Sequence, residues 1–251
     1  MTTAALPGGF GLLRLGTVAS TNDVARELAE SGGRETDLFV VADRQTAGRG
    51  RLGRRWQSPP GNLHASLLLR PDRPMAEVAS LSLVLALVLA ETLEALSAGR
   101  LAPTVKWPND VLLGGAKLAG ILLEGAADAR GRCQWLIAGI GVNVAWSPGP
   151  EVGYPTTDLR REGLGTVGPE ELLRALAAPL RAALEAWAVQ GLAPFRERWL
   201  ARTTRQGEPI ELKLGDRVVG GTFAGIDPQG AILLARVSGE LERFTAGELA
   251  P

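Results

Sequence analysis

Net charge is the first thing this chain lacks. Its 27 lysines and arginines are matched by 27 aspartates and glutamates, for a formal net charge of +0. That excludes a bulk polyelectrolyte binder, so any attraction for phosphate must be local. Cysteine is nearly absent: Cys133 stands alone, which excludes an intramolecular disulfide and fits a reducing, cytoplasmic setting. Histidine is as scarce. His64, in "NLHASLLL", has no second histidine for a metal pair and no nearby carboxylate in sequence, so it reads as a strand histidine. Cys133 lies in an apolar run and reads as packing. The first residues, "MTTAALPGGF", lack the basic residues and long apolar run of a secretory signal. The most hydrophobic stretch, Val78–Ala90, falls short of the roughly 20 apolar residues that cross a bilayer. It reads as a buried helix, and no membrane partner is expected. What remains is ordinary: 251 residues, 45% of them hydrophobic, enough for one large core and a small second unit.

Hydrophobic periodicity and breakers divide the chain. "STNDVARELAESGG" predicts a helix that starts on Ser20, with Asp23 at capping-box spacing, and stops at Gly32-Gly33. "DLFVVADRQT" and "NLHASLLLRP" predict strands, the second stopped by Pro71. One long helix is expected over Met75–Ala98. "TVKWPNDVLL", "KLAGILLEG" and "QWLIAGIGVNV" predict three further strands. "GPEELLRALAAPLRAALEAW" predicts a helix that opens on Pro169, with Glu170 and Glu171 in its first turn and a kink or split at Pro179. After Arg205 short alternating strands with turns at Gly215-Asp216, Asp227–Gly230 and Ser238–Glu240 predict a small SH3-like β-barrel. The expected domains are 1–205 and 206–251.

Four segments carry chemistry. "TAGRGRLGRRW", Thr46–Trp56, puts four arginines and three glycines in eleven residues with no acid. Arginine forks match phosphate or carboxylate oxygens, and glycine lets the backbone approach a ligand. A solvated basic loop or a nucleic-acid patch has the same composition. "KWPND", Lys106–Asp110, offers a carboxylate for Mg²⁺, or simply a tight turn. "KLAGILLE" opens an apolar strand on Lys117, with Gly120 allowing close approach; a surface lysine is the plainer reading. In "GIGVNV", Asn143 is a polar anchor or a strand-end residue, and the glycines do not form a dinucleotide fingerprint.

Together and in this order, the four segments resemble the biotin protein ligases, the biotin–[acetyl-CoA-carboxylase] ligases. The family's GRGRxGRxW is Gly48–Trp56, its KWPND Lys106–Asp110, its KxxGIL Lys117–Leu122 and its GxGxN Gly139–Asn143. Ser20-Thr21-Asn22 and Gln45 match the family's entry to the first helix and the glutamine ahead of the loop. The resemblance runs over nearly the whole chain. It implies an α+β fold, a mixed-sheet catalytic domain with a small C-terminal SH3-like barrel. It also implies an ATP-dependent, Mg²⁺-requiring enzyme that makes biotinyl-5′-AMP and passes biotin to a lysine of a biotin carboxyl carrier protein.

Carried over residue by residue, Ser20, Thr21, Asn22, Gln45, Gly48, Arg49, Arg51, Trp56, Lys117 and Gly120 would surround biotin. Arg49, Arg51, Arg54, Trp56, Asn109, Lys117 and Asn143 would serve the nucleotide, with Asn143 on the adenine side. Lys117, Arg51 and Asp110 would be catalytic, and Asp110 would also meet the metal. The arginine loop would be mobile until ligand supplies its anion. Bifunctional family members carry an N-terminal winged helix. Here Ser-Thr-Asn begins at residue 20, so the expectation is a single-function ligase with no sequence-specific DNA binding. A homodimer is left open.

Two rivals share features with this reading. Lipoate ligases and octanoyltransferases share the catalytic fold, but the octanoyl-transfer branch needs a cysteine nucleophile and only Cys133 is available. A nucleic-acid-binding module would need a basic stripe, whereas the tail carries Asp216, Asp227, Glu240, Glu242 and Glu248.

Overall fold

The computed structural model describes residues 2–31 and 36–249. The predicted helix stop at Gly32-Gly33 lies outside them. Eight strands form one mixed sheet: β1 (Thr2–Ala5), β2 (Gly11–Val18), β3 (Leu38–Gln45), β4 (Leu63–Leu69), β5 (Thr104–Lys106), β6 (Asp110–Leu113), β7 (Ala116–Ala127) and β8 (Cys133–Val142). Their order across the sheet is β1-β2-β3-β4-β8-β7-β6-β5. Only β2 and β3 pair in parallel, joined by the crossover helix α1 (Thr21–Glu30). The residues of β4 are buried on both faces, which accounts for the largely apolar run after His64, broken only by the buried Ser66.

Alternation along the strands divides the core. Leu13, Val40, Leu68 and Ile137 face α1 and pack with its Ala25 and Ala29. The opposite face joins a larger cluster with the remaining helices, α2 (Met75–Val78), α3 (Leu81–Leu96), α4 (Pro169–Gln190) and α5 (Ala193–Arg202). The apolar stretch Met75–Leu96 is longer than Val78–Ala90 and is long enough by composition to cross a membrane, but most of it is buried inside the protein. It is a core element, apolar on all sides because it is covered on all sides.

Three local expectations are corrected. The single helix over Met75–Ala98 is two, because Ser80 Oγ donates to Glu77 O at 2.7 Å and also receives Trp187 Nε1–H at 3.0 Å. A serine bonded to local backbone competes with the helical ladder. Pro179 does not split α4, which runs on through it; the proline is exposed, so the carbonyl it orphans lies near solvent. "TVKWPNDVLL" is a hairpin rather than one strand, with Lys106 opposite Asp110 across the Trp107–Asn109 turn.

The C-terminal unit is an SH3-like antiparallel sheet of β9 (Pro209–Leu214), β10 (Arg217–Ile226), β11 (Ile232–Ala235), β12 (Leu241–Phe244) and β13 (Glu248–Leu249), in the order β12-β11-β10-β9-β13. The three expected turns fall between these strands. It is tied to the rest of the protein through Trp107 Nε1–H donating to Gly230 O at 3.0 Å and Arg196 Nε–H donating to Ile226 O at 2.7 Å.

Candidate active site

The N-terminus of α1, the arginine loop, the Trp107–Asn109 turn, the middle of β7 and β8, and the end of the barrel surround an open cleft of about 930 Å³. Of the residues singled out from sequence, Ser20, Thr21, Asn22, Gln45, Arg49, Arg51, Arg54, Trp56, Asn109, Asp110, Lys117 and Gly120 line it. Two do not. Gly48 sits behind the loop, where a Cβ would come within 2.5 Å of Trp56 O and 2.6 Å of Ser58 Oγ. Asn143 donates Nδ2–H to Thr157 O at 3.1 Å and lines a smaller hollow beyond Trp56, Lys117 and Tyr154. Its side chain anchors the 155–159 segment.

The expected capping box does not form. Ser20 makes no side-chain cap bond at α1, and Asp23 is turned to the arginine loop. Arg49 grips both Asp23 oxygens, at 2.8 and 2.6 Å. Those hydrogen bonds hold the Asp23 carboxyl below its ordinary value. Two of the loop's other three arginines are met as well. Arg51 donates to Asn109 Oδ1 at 3.3 Å and to Gly247 O at 2.8 Å, and Arg54 forks onto the Glu248 carboxylate. The expectation of a loop that cannot pack until phosphate arrives is thus revised: the protein's own acids and carbonyls offset the repulsion among its guanidinium groups.

Trp56 packs against the C-terminal end of β8. A Cβ at Gly141 would fall 2.6 Å from its Cε2, so only glycine leaves room for the ring there. Lys117 Nζ stands 5.7 Å from the Trp56 ring centre and 5.5 Å from that of Tyr154, and 2.7 Å from Asp110 Oδ1. Burial pushes the neighbouring Lys106 ammonium down, against the pull of Asp110. At the head of the cleft, Gln45 Oε1 accepts Thr21 N–H at 2.8 Å, and Gln45 Nε2–H donates to Ser58 Oγ at 2.8 Å.

Sequence reasoning missed Ser58, Ser66, Tyr154, Glu124 and the barrel's Glu248, which line or brace this cleft. Tyr154 is the chain's one tyrosine, in a loop rich in proline and glycine, and that isolation was its only signal. The others are ordinary polar residues whose importance comes from folding alone.

The cleft fits a metal that arrives with its substrate. Asp110 and Glu248 are the carboxylates that line it. Among the described residues no group of three or more histidines, cysteines or acids gathers anywhere. Mg²⁺ is commonly held by one or two protein carboxylates and substrate phosphates, and Asp110 beside Lys117 and Arg51 suits that mode. Cys133 does not line the cleft. It is buried, its thiol pushed up by burial, and its S–H donates to Trp135 O at 3.3 Å, an inert environment for a nucleophile.

A cationic, aromatic-walled cleft between a mixed sheet and an SH3-like tail defines an enzyme that activates and holds a small carboxylate or phosphate substrate. Comparison with known proteins narrows this. The model of the biotin/lipoate A/B protein ligase family matches residues 16–143, and that of the biotin protein ligase C terminal domain matches 207–249. The chain is 42% identical over 228 residues to a biotin–[acetyl-CoA-carboxylase] ligase of Paracoccus denitrificans, covering 88% of this chain and 92% of that one. It is 38% identical over 212 residues to the bifunctional ligase/repressor BirA of Escherichia coli, covering 83% of this chain and 64% of that protein. The Aquifex aeolicus biotin protein ligase, solved in complex with biotin and ATP, superposes with a TM-score of 0.78 at 30% identity, covering 95% of this chain and 97% of that one. The chain belongs to the biotin/lipoate A/B protein ligase family, among its biotin protein ligases.

Proposed function

We propose that this chain is a biotin–[biotin carboxyl-carrier protein] ligase. It uses ATP to convert biotin to biotinyl-5′-AMP and passes the biotinyl group to one lysine of the carrier protein of acetyl-CoA carboxylase or a related carboxylase. The observation that carries the reading is the meeting of Arg51, Trp56, Asp110 and Lys117, from separate segments, around one cleft.

In the first step a carboxylate oxygen of biotin attacks the α-phosphorus of ATP, the bond to the β-phosphate bridge breaks, and pyrophosphate leaves. Two anions must approach. Lys117 and Arg51 line the place where they meet and stabilise the charge that develops. Trp56 and Tyr154 flank the ammonium and limit its access to water. Asp110 is the protein group that would hold Mg²⁺, which when bound would supply further positive charge at the phosphates. Thr21, Gln45 and Asn22 orient the biotin head, and Arg54 and Asn109 lie on the nucleotide side of Arg51. In the second step a neutral lysine amine of the carrier attacks the acyl carbon, AMP leaves, and the amine loses a proton. Positioning and electrostatics suffice for both steps.

Three of the four loop arginines are engaged by Asp23, Asn109, Gly247 and Glu248, an arrangement that suits a small ligand better than a DNA duplex. The reading therefore includes a cytoplasmic enzyme with a protein partner and no operator DNA. Incubation with biotin and ATP tests it: pyrophosphate release that depends on biotin, followed by labelling of an unmodified carrier domain, is expected. Release that ignores biotin would discard the assignment.

A further inference from the structure

Beneath the head of the cleft, five side chains join in one hydrogen-bonded chain. Glu124, on β7, accepts Asn22 Nδ2–H at 2.7 Å through one oxygen. Its other oxygen accepts from Arg26 at 2.9 Å and lies 3.8 Å from Arg49. Asn22 Oδ1 is 2.5 Å from Ser66 Oγ, which is 2.7 Å from Thr21 Oγ1, which is 3.0 Å from Gln45 Oε1. Ser66 is fully buried. A Cβ at residue 139 would fall 2.6 Å from Asn22 Oδ1, so Gly139 leaves the space this amide occupies.

The direction of the chain follows from what each group can do. A carboxylate only accepts, so Glu124 holds the Asn22 amide with Nδ2 toward itself and Oδ1 toward Ser66. An amide oxygen cannot donate, so the short Ser66 contact takes the serine's proton. The 2.7 Å contact between Ser66 and Thr21 is then filled by the threonine's proton. The other oxygen within reach of that proton, Gln45 Oε1, is also only an acceptor and is already served by Thr21 N–H at 2.8 Å. With either partner the Thr21 hydroxyl spends its proton inside the protein and turns only lone pairs to the cleft.

We infer that Glu124, acting through Asn22 and Ser66, fixes Thr21 Oγ1 as a hydrogen-bond acceptor for a ureido N–H of biotin. Glu124 and Ser66 are thus positioning residues that set specificity for the urea. This rests on the biotin reading above. Glu124→Gln introduces a group that donates as well as accepts, so the Asn22 amide loses its single sense and Ser66 can give its own proton to Thr21, which leaves the already served Gln45 Oε1 as the threonine's one interior acceptor and lets its proton compete for the cleft. Ser66→Ala breaks the chain at its middle.

Three kinds of ligand separate this role from a structural one: biotin, desthiobiotin, which keeps the urea and lacks the sulfur, and biotin methylated on one ureido nitrogen, in both isomers. Their KM values are measured in pyrophosphate release, with ATP varied separately. In both variants the biotin KM should rise about tenfold, as for one lost hydrogen bond in a closed site, while the KM for ATP stays within about twofold. The wild type's preference for biotin over the more poorly used methyl isomer should shrink by about the same tenfold, and its preference over desthiobiotin should persist. Variants that lose all three ligands in proportion, or that keep the wild-type ratios, overturn the inference. Should Glu124→Gln fail to fold, Ser66→Ala decides by the same ratios. A wild type that ignores biotin overturns the ligase reading and this inference with it; a biotin-dependent wild type with unchanged variant ratios overturns this inference alone.

Discussion

Lys117 Nζ lies 2.7 Å from Asp110 Oδ1, joining the KxxGIL lysine to the KWPND aspartate across adjacent strands. Both side chains are largely buried, at 19% exposure each, so neither charge is cheap to leave alone. An arriving metal and phosphate would take one partner each, Asp110 turning to the cation and Lys117 to the anion. Lys117→Ala should therefore fold but lose biotin-dependent pyrophosphate release about a hundredfold or more, the scale of about 2–4 kcal/mol for one charge-assisted contact in a transition state. Near-normal release by a folded variant would remove Lys117 from the chemistry.

Gly141 gives a purely steric test. Its backbone is not in the left-handed region, so alanine there meets no conformational penalty. The added methyl would still stand 2.6–2.8 Å from three atoms of the Trp56 indole, and the ring must move. Gly141→Ala should raise the biotin KM about tenfold or more, because small displacements at a site cost large factors in rate. An unchanged KM would show that Trp56 is not a wall of the biotin site.

Arg51 should matter by its shape as well as its charge. Its two terminal nitrogens reach Asn109 Oδ1 and Gly247 O together, which the point charge of lysine cannot do. Arg51→Lys should reduce amide protection across residues 46–56 without ligand and raise the KM for ATP. In the wild type the loop should be partly protected without ligand, since Asp23, Asn109, Gly247 and Glu248 already hold it, and more protected with biotin and ATP. Hydrogen exchange measures both. A loop in the wild type that exchanges as freely as an unfolded peptide without ligand would contradict these ties.

The sequence made most strands of the main sheet, though not β1 or β2, the barrel turns and most of the cleft legible, for one physical reason. Motifs such as GRGRLGRRW and KLAGIL concentrate unusual residue types in short windows, and the fold brings those windows together. What it hid was pairing at a distance. Asp23 looked like half of a capping box until Arg49, 26 residues on, claimed it. Ser80 gave no sign that Glu77 O and Trp187 would hold its hydroxyl and break a helix. Glu124 and Ser66 are common residues whose meaning lies in the direction of a hydrogen-bond chain. The reach of Glu248 into the cleft could not be read from a tail that looked like a separate unit.

His64 offers a clean pH signal because it is the chain's only histidine. It lies on β4, 1% exposed, with Nε2 3.0 Å from Pro59 O. A carbonyl only accepts, so Nε2 carries the hydrogen. Nδ1 is buried and has no hydrogen-bond partner among the described residues. Burial lowers the ring's pKa below its ordinary 6.5, with the Pro59 bond pulling weakly the other way. The unfolded chain therefore takes up a proton near pH 6.5 while the folded chain does not. Stability is complete above 6.5 and falls as the pH drops toward the folded value, by at most about 1.4 kcal/mol per pH unit. For a chain of this size that is about 3–6 °C in Tm per unit. Asp23, Asp227, Glu151 and Glu170 are all held below their ordinary carboxylate values and lose their contribution chiefly in stronger acid, so the slope between about pH 7 and 5.5 reports the histidine. His64→Gln keeps an N–H for Pro59 O and removes the titration. Thermal melts across that window should slope for the wild type and lie nearly flat for the variant. Equal slopes would assign the acid sensitivity to another group.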